Sequence, residues 1–507
     1  PELRVPVGGR YGPEGELETL EDEETATVAA QLARLDVESV AVCLLHADRF
    51  PQHELKLGAA IKDVLGSGVH VSLSHEVVGT FREYERAATT EVDAALSPLL
   101  SNYLTKLNSA CEELGLVEPL IMQSSGGLAS LEQAAGHAAL TVLSGPAGGA
   151  AAASLVSKAG GFPNLLCFDM GGTSCDVCLL EGGSVRETGS KRIAGHPLAL
   201  PMVDIDTVGA GGGSIAWRDS GGALRVGPRS AGADPGPACY GRGGSDATVT
   251  DANLILGRLD VGNDFAGGIR LDRVAAEAAV ARLARELSLD LAECARGIID
   301  VANAEMVRAM RVMTVERGLD PEDFSLLAFG GAGPLHAVAI AEELSITQIL
   351  VPVDGGVFSA LGLAAAERRR DDVRTVMLSE DQIDREALAG LAGDADRVSW
   401  DIRYQGQSFE LTVRCDEPEP DRIRQLFEEA HENQYGYRDE TAAIELVTVR
   451  RRHLGQAPEV SLGPPDFEAV SGPGPIDLGQ ATLYLSEGWQ ARPADGGMLR
   501  ISRREAM

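Results

Sequence analysis

Three apolar runs in this chain lead directly into glycine-rich turns, and that repetition constrains the fold more than any other feature. Pro119–Gln123 (PLIMQ) runs into Ser124-Ser125-Gly126-Gly127, and Asn164–Phe168 into Asp169-Met170-Gly171-Gly172-Thr173-Ser174. Ser325–Phe329 runs into Gly330-Gly331-Ala332-Gly333-Pro334. Short buried strands, each closed by glycine and separated by helix-period segments, read as an α/β arrangement around a parallel sheet. Further strands are expected at 39–45, 69–73 and 348–352, with helices at 24–35, 52–64, 90–114, 272–287 and 290–317. Asp290 and Glu293 form a capping-box pair at the start of the last helix, and Gly318 supplies its stop. Its stripe of Ile298, Ala302, Met306, Ala309 and Met313 has the period of a core-facing surface.

A chain of 507 residues is too long for one core. An α/β subdomain is expected over 21–144. Past about Asp371 the pattern changes to polar alternating strands, at 398–404, 409–414 and 444–449, around one helix at 421–434, so a separate α+β domain is expected over 371–462. A Pro/Gly linker and a terminal hairpin account for 463–507.

The net charge of −32 excludes a nucleic-acid binder, which needs clustered Lys and Arg to meet phosphates. No apolar run approaches the roughly 20 residues that span a bilayer, so no membrane role is expected. The eight cysteines lack the spacing of a disulfide scaffold, and a soluble, cytoplasmic protein is the expectation. Cys175 and Cys178 form a CxxC pair with no second pair to complete a zinc site.

The turn after Asp169 carries the most chemistry. Gly171 and Gly172 allow backbone N–H groups to approach polyphosphate oxygens, and Thr173 and Ser174 add hydroxyl donors. Asp169 and Asp176 would repel phosphate unless Mg²⁺ lies between, so both are candidate metal ligands and catalytic groups. Gly330, Gly331 and Gly333 form a second turn of this kind, and open α/β sheets bind ligands at the carboxyl ends of their strands. Gly211, Gly212, Gly213 and Ser214, with Asp206 just before them, read equally as a third phosphate nest or as a hinge. Asp251 reads as a metal- or water-orienting carboxylate or as a helix N-cap. His336 has the setting of a packing histidine. G-x-S-x-G, H-E-x-x-H and P-loop lysine motifs are absent from the sequence.

The run DMGGTSCDV (Asp169–Val177) resembles the phosphate-binding signature of actin-like ATPases, and in particular the hydantoinase A/5-oxoprolinase family with the ATPase subunits of acetone and acetophenone carboxylases. EYERAATT (83–90), MQSSGGL (122–128), LSGPAGG (143–149), TVGAGGGSI (207–215), FGGAGPLHA (329–337), VFSALG (357–362) and RYQGQ (403–407) resemble the same family. The resemblance implies actin-like (ribonuclease H-like) lobes, with residues 145–370 as the ATPase core and residues 1–20 as the tail of an N-terminal lobe. It implies ATP and Mg²⁺ as cofactors, with 169–176 as the second phosphate loop and 330–333 against adenosine. The family's first D-x-G-G-T-F-T-D loop does not precede Asp169, and Cys175 stands where the family usually has threonine. The implied activity is phosphorylation of a carbonyl oxygen in a cyclic amide such as hydantoin or 5-oxoproline, in a hetero-oligomer with a hydantoinase B-type subunit. A ketone carboxylase subunit and a truncated, non-catalytic interaction module are the alternatives.

Overall fold

The computed structural model describes residues 3–66, 68–260 and 268–504; the few terminal residues of the first and last expected segments beyond these lie outside it. The described residues fall into two compact units, divided differently from the expected boundaries. The first comprises Pro1–Ser144, Thr188–Met202 and Glu367–Ala457, and the second Gly145–Glu187, Val203–Ala366 and Pro458–Met507.

The second unit is built on a nine-stranded mixed sheet. Its centre is Leu165–Met170, whose Leu-Leu-Cys-Phe run is wholly buried, as expected of a strand covered on both faces. This strand pairs in parallel with Ser325–Phe329, which pairs in parallel with Gln348–Pro352. On the other side it pairs antiparallel with Cys175–Glu181, and that strand with Ile205–Val208. The terminal hairpin, Trp489–Ala494 and Met498–Arg503, joins this sheet beside Gln348–Pro352 and so belongs to the core that the linker was expected to leave.

Helix Leu291–Met313 packs its predicted stripe into that core, with Ile298, Ala302, Met306 and Met313 fully buried. The Asp290 carboxylate accepts from Glu293 N at 2.7 Å, and Glu293 Oε2 accepts from Asp290 N at 3.2 Å. Such a cap contributes on the order of 1 kcal/mol, whereas truncating one buried Met to Ala costs about 2–5 kcal/mol. Packing therefore dominates the helix's stability.

In the first unit, Ser39–Val42 pairs in parallel with His70–Leu73 beneath helices Asp22–Leu32 and Gln52–Leu65. Helix Glu83–Glu113 is longer than its expected span and carries Pro98 in its interior. A four-stranded antiparallel sheet runs in the order Arg369–Ser379, Ile444–Leu454, Arg397–Tyr404, Leu411–Arg414. With helices Arg385–Ala392 and Pro420–Tyr435 it encloses Trp400 and Phe427, both buried.

Candidate nucleotide site in the second unit

The glycine turns of the second unit converge. Gly171 and Gly172, Gly212, and Gly331 with Ala332 all line one cavity of about 340 Å³, together with Thr250, Tyr240 and Gln480. The backbone holds the turns against one another: Gly212 N donates to Gly171 O at 3.0 Å, Gly213 N to Gly172 O at 2.6 Å, and Ala332 N to Met170 O at 3.0 Å. Gly212 O in turn accepts from both N and Oγ1 of Thr250, each at 2.8 Å.

Glycine is required here by close approach. A Cβ on Gly211 would sit 2.6 Å from Thr173 N, and one on Gly213 would sit 2.9 Å from Gly172 O. Gly330 has φ +78° and lies against Asp169, whose Oδ1 a Cβ would meet at 2.2 Å. These contacts favour a fixed nest over a hinge at 211–214.

Asp169 and Asp176 are register partners across the antiparallel pair. Asp169 Oδ2 accepts from Ser359 Oγ at 3.3 Å, and Asp176 Oδ1 accepts from Thr207 Oγ1 at 2.5 Å. Burial, and then the charge of Asp176, push the Asp169 carboxyl up to about 6, with the Ser359 bond opposing them. Neither carboxylate lines the cavity, but Asp169 stands against Gly330, the neighbour of the lining Gly331.

The remaining predicted residues are placed differently. Asp206 pairs with Val177, one step from Thr207, which faces Asp176, so strand alternation puts Asp206 on the opposite sheet face. Thr173 is exposed and Ser174 half-buried, while Gly211, Gly213, Ser214 and Gly333 are buried in the turns without lining the cavity. Ser214 Oγ accepts from Gly211 N at 2.8 Å and so braces the nest.

Asp251 is fully buried at the third position of helix Val249–Ile255, whose N-cap is Thr248. Its carboxylate accepts from Ala238 N, Cys239 N, Thr248 N and Thr248 Oγ1 at 2.7–3.3 Å. It is a latch between loop and helix, three positions inside the N-cap Thr248 and not itself the cap. His336 is also buried, with Nδ1 2.7 Å from Asn303 Oδ1 and Nε2 3.4 Å from Asn253 Nδ2. Burial, aided by Arg258, drives its pKa down to about 3, so it packs as a neutral ring. Cys175 and Cys178 are buried free thiols, and burial pushes Cys175 well above its ordinary range.

Sequence reasoning missed the wall formed by Pro475, Asp477, Gly479, Gln480, Ala481 and Thr482. Its available signal was Asp-Leu-Gly, which forms a turn in which Asp477 Oδ1 accepts from Gly479 N at 2.7 Å. Among the described residues no group of three or more His, Cys, Asp or Glu is arranged to hold a metal, and no helix is long and apolar enough to cross a membrane.

A mixed α/β core with three glycine turns around one cavity, and the Asp169–Asp176 pair flanking one of those turns, has the layout of the open-sheet α/β class. The Hydantoinase/oxoprolinase model matches residues 86–372, and the model of that family's N-terminal region matches residues 1–65. An uncharacterised protein of Methanocaldococcus jannaschii is 38% identical over 96% of this chain and 75% of its own length. The caprolactamase subunit alpha of Pseudomonas jessenii is 36% identical over 88% of this chain and 68% of its own. The crystal structure of the ATP-dependent caprolactamase from Pseudomonas jessenii superposes with a TM-score of 0.83 at 31% identity, covering 99% of this chain and 82% of that one. The nucleotide-free acetone carboxylase structure shares the fold, with a TM-score of 0.76 at 24% identity over 98% of this chain and 81% of that one. The chain belongs to the hydantoinase/oxoprolinase family.

Proposed function

We propose that this chain is the ATP-binding subunit of an ATP-dependent cyclic-amide hydrolase, with the second unit as its actin-like nucleotide core. The observation that carries the reading is the convergence of Gly171–Gly172, Gly212 and Gly331 on one cavity beside Asp169 and Asp176. Backbone N–H groups in such turns neutralise polyphosphate oxygens without side-chain cations.

The carboxylate pair fits Mg²⁺. Burial and then the charge of Asp176 raise the Asp169 pKa, and a cation near the pair offsets both effects. Two protein carboxylates, with phosphate and water supplying the other ligands, is the usual way proteins hold this ion beside a nucleotide. When bound, Mg²⁺ supplies charge neutralisation during phosphoryl transfer.

The transferred phosphoryl group goes to the amide carbonyl oxygen, which withdraws electrons from the carbonyl carbon and makes it open to water. Water then adds to that carbon, the ring C–N bond breaks as the nitrogen takes a proton, and a second water hydrolyses the resulting acyl phosphate to carboxylate and free phosphate. The chain's own residues orient the phosphates through the glycine turns and hold the carboxylates in register, so positioning and electrostatics supply most of the rate. A B-type partner subunit completes ring opening, in keeping with the naming of the Pseudomonas jessenii relative as a subunit.

The test is ATP consumption by the reconstituted complex with Mg²⁺. Stimulation by a cyclic amide supports the reading. Stimulation only by a ketone with bicarbonate would move the protein to the carboxylase class, and no stimulation together with no Mg-ATP binding would leave an interaction module.

A further inference from the structure

We propose, resting on the amide-hydrolase reading above, that the first unit carries a separate pocket for the amide, built to take a small neutral ring. The pocket is a cavity of about 140 Å³ bordered by His75, His137 and Ser125 on its polar side and by Val78, Leu140 and Leu200 on its apolar side. All of these residues belong to the first unit.

Both histidines are backed by fully buried carboxylates. His75 Nδ1 is 2.7 Å from Glu54 Oε2, and Glu54 also accepts from Ser74 Oγ at 2.6 Å and Leu44 N at 2.8 Å. His137 Nδ1 is 3.5 Å from Asp93 Oδ2, and Asp93 accepts from Ser72 Oγ at 2.8 Å and Ala139 N at 3.0 Å. Glu54 fixes the orientation of the His75 imidazole, whose Nε2 lies 4.0 Å from Glu76 Oε1, while His137 Nδ1 is buried beside Asp93 without a hydrogen bond. Asp93 also raises the His137 pKa against the effect of burial.

The Ser125 hydroxyl is buried without a hydrogen-bond partner. It is nevertheless held in place: Ser125 O accepts from Arg369 Nη1 at 2.6 Å, and Asp371 grips Arg369 through Nε at 2.7 Å and Nη2 at 3.0 Å. A fixed, buried and unpaired hydroxyl is unfavourable, a penalty that a hydrogen-bonding ligand removes.

The chemistry of the wall selects the ligand. An amide offers a carbonyl oxygen to a histidine N–H and an N–H to the hydroxyl oxygen, whereas a ketone offers only the first. The apolar cluster of Val78, Leu140 and Leu200 suits ring methylenes. Glu76 also borders the cavity and disfavours a ligand with its own carboxylate, whereas Asp371 and Asp372, which border it too, are paired with Arg369, Arg452 and Arg451.

The experiment is calorimetric titration of the full-length protein with δ-valerolactam, 5-oxoproline, acetone and, separately, Mg-ATP. The expected result is δ-valerolactam binding at least tenfold tighter than 5-oxoproline or acetone. Ser125→Ala and His137→Gln should each weaken it at least fivefold while leaving the Mg-ATP affinity within twofold. Ser125→Ala removes only an unpartnered hydroxyl, so the fold is retained, and Ser125→Val should block the ring outright. Absence of δ-valerolactam binding, affinity unchanged in all three variants, or equal affinity for acetone overturns the pocket. Failure of the parent protein to bind Mg-ATP overturns the nucleotide reading instead, and the lactam titration still decides the pocket.

Discussion

Asp169 and Asp176 face each other across the antiparallel strand pair that flanks the Gly171–Gly172 turn, and burial, reinforced by that proximity, raises the Asp169 carboxyl to about 6. A carboxyl whose folded pKa lies above its unfolded value of 3.8 takes up protons on folding. Its contribution is therefore most favourable below about pH 4 and is lost as the pH rises through 6. Asp169→Asn should stabilise the ligand-free protein at pH 8, by up to about 3 kcal/mol. The advantage should vanish at pH 4. Urea denaturation of both proteins at the two pH values checks this.

The same pair should be indispensable to turnover. Asp169→Ala and Asp176→Ala are each expected to lower ATP-dependent activity of the complete complex by at least about 100-fold, since on the proposed function each removes a carboxylate that would hold Mg²⁺ against the phosphates. Circular dichroism should stay unchanged. Full turnover in either variant would contradict the proposed phosphate site.

At Gly330 a methyl group would meet Asp169 Oδ1 at 2.2 Å and Met170 O at 2.6 Å, on a backbone with φ +78°. Gly330→Ala should cost about 1–3 kcal/mol in stability and weaken Mg-ATP binding, because the strain displaces Asp169. Gly212→Ala, where the new Cβ meets only the Thr250 hydroxyl under 3.0 Å, should lower affinity with a smaller loss of stability. Thermal unfolding and nucleotide titration separate the two effects.

Asp251 should behave as a structural residue. Asp251→Ala leaves four buried donor contacts without their acceptor and is expected to cost about 3–5 kcal/mol. The folded fraction should retain the parental rate per molecule. A stable but inactive Asp251→Ala protein would restore a catalytic role.

Much of this architecture was legible from local pattern alone. The strands Ser325–Phe329 and Gln348–Pro352 appear where their apolar runs place them, and the capping box at Asp290 and Glu293 forms as spaced. Strand Arg369–Ser379 was not legible, because its Arg-Arg-Asp-Asp opening hides the alternation that marks a strand. Those charges are satisfied across the sheet: Arg452 Nε reaches Asp371 at 3.3 Å, and Arg451 pairs with Asp372. Such pairing depends on partners some eighty positions away. Asp206 and Asp251 show the same limit in the candidate site. Their proximity to glycine suggested chemistry, but strand register sends one to the far face, and a loop from 238–239 ties up the other. The segment 475–482 carried too weak a signal to be connected with a cavity whose other walls begin at Gly171.

That late wall has a bearing on biosynthesis. Residues 475–482 border the cavity, and the hairpin that follows them pairs with Gln348–Pro352, so a ribosome has to finish about 150 codons beyond that strand before the pocket is enclosed. Until then the emerging polypeptide exposes an open sheet margin with an incomplete basin beside it. Chaperone occupancy and protease sensitivity during synthesis should therefore persist until the hairpin has cleared the exit tunnel.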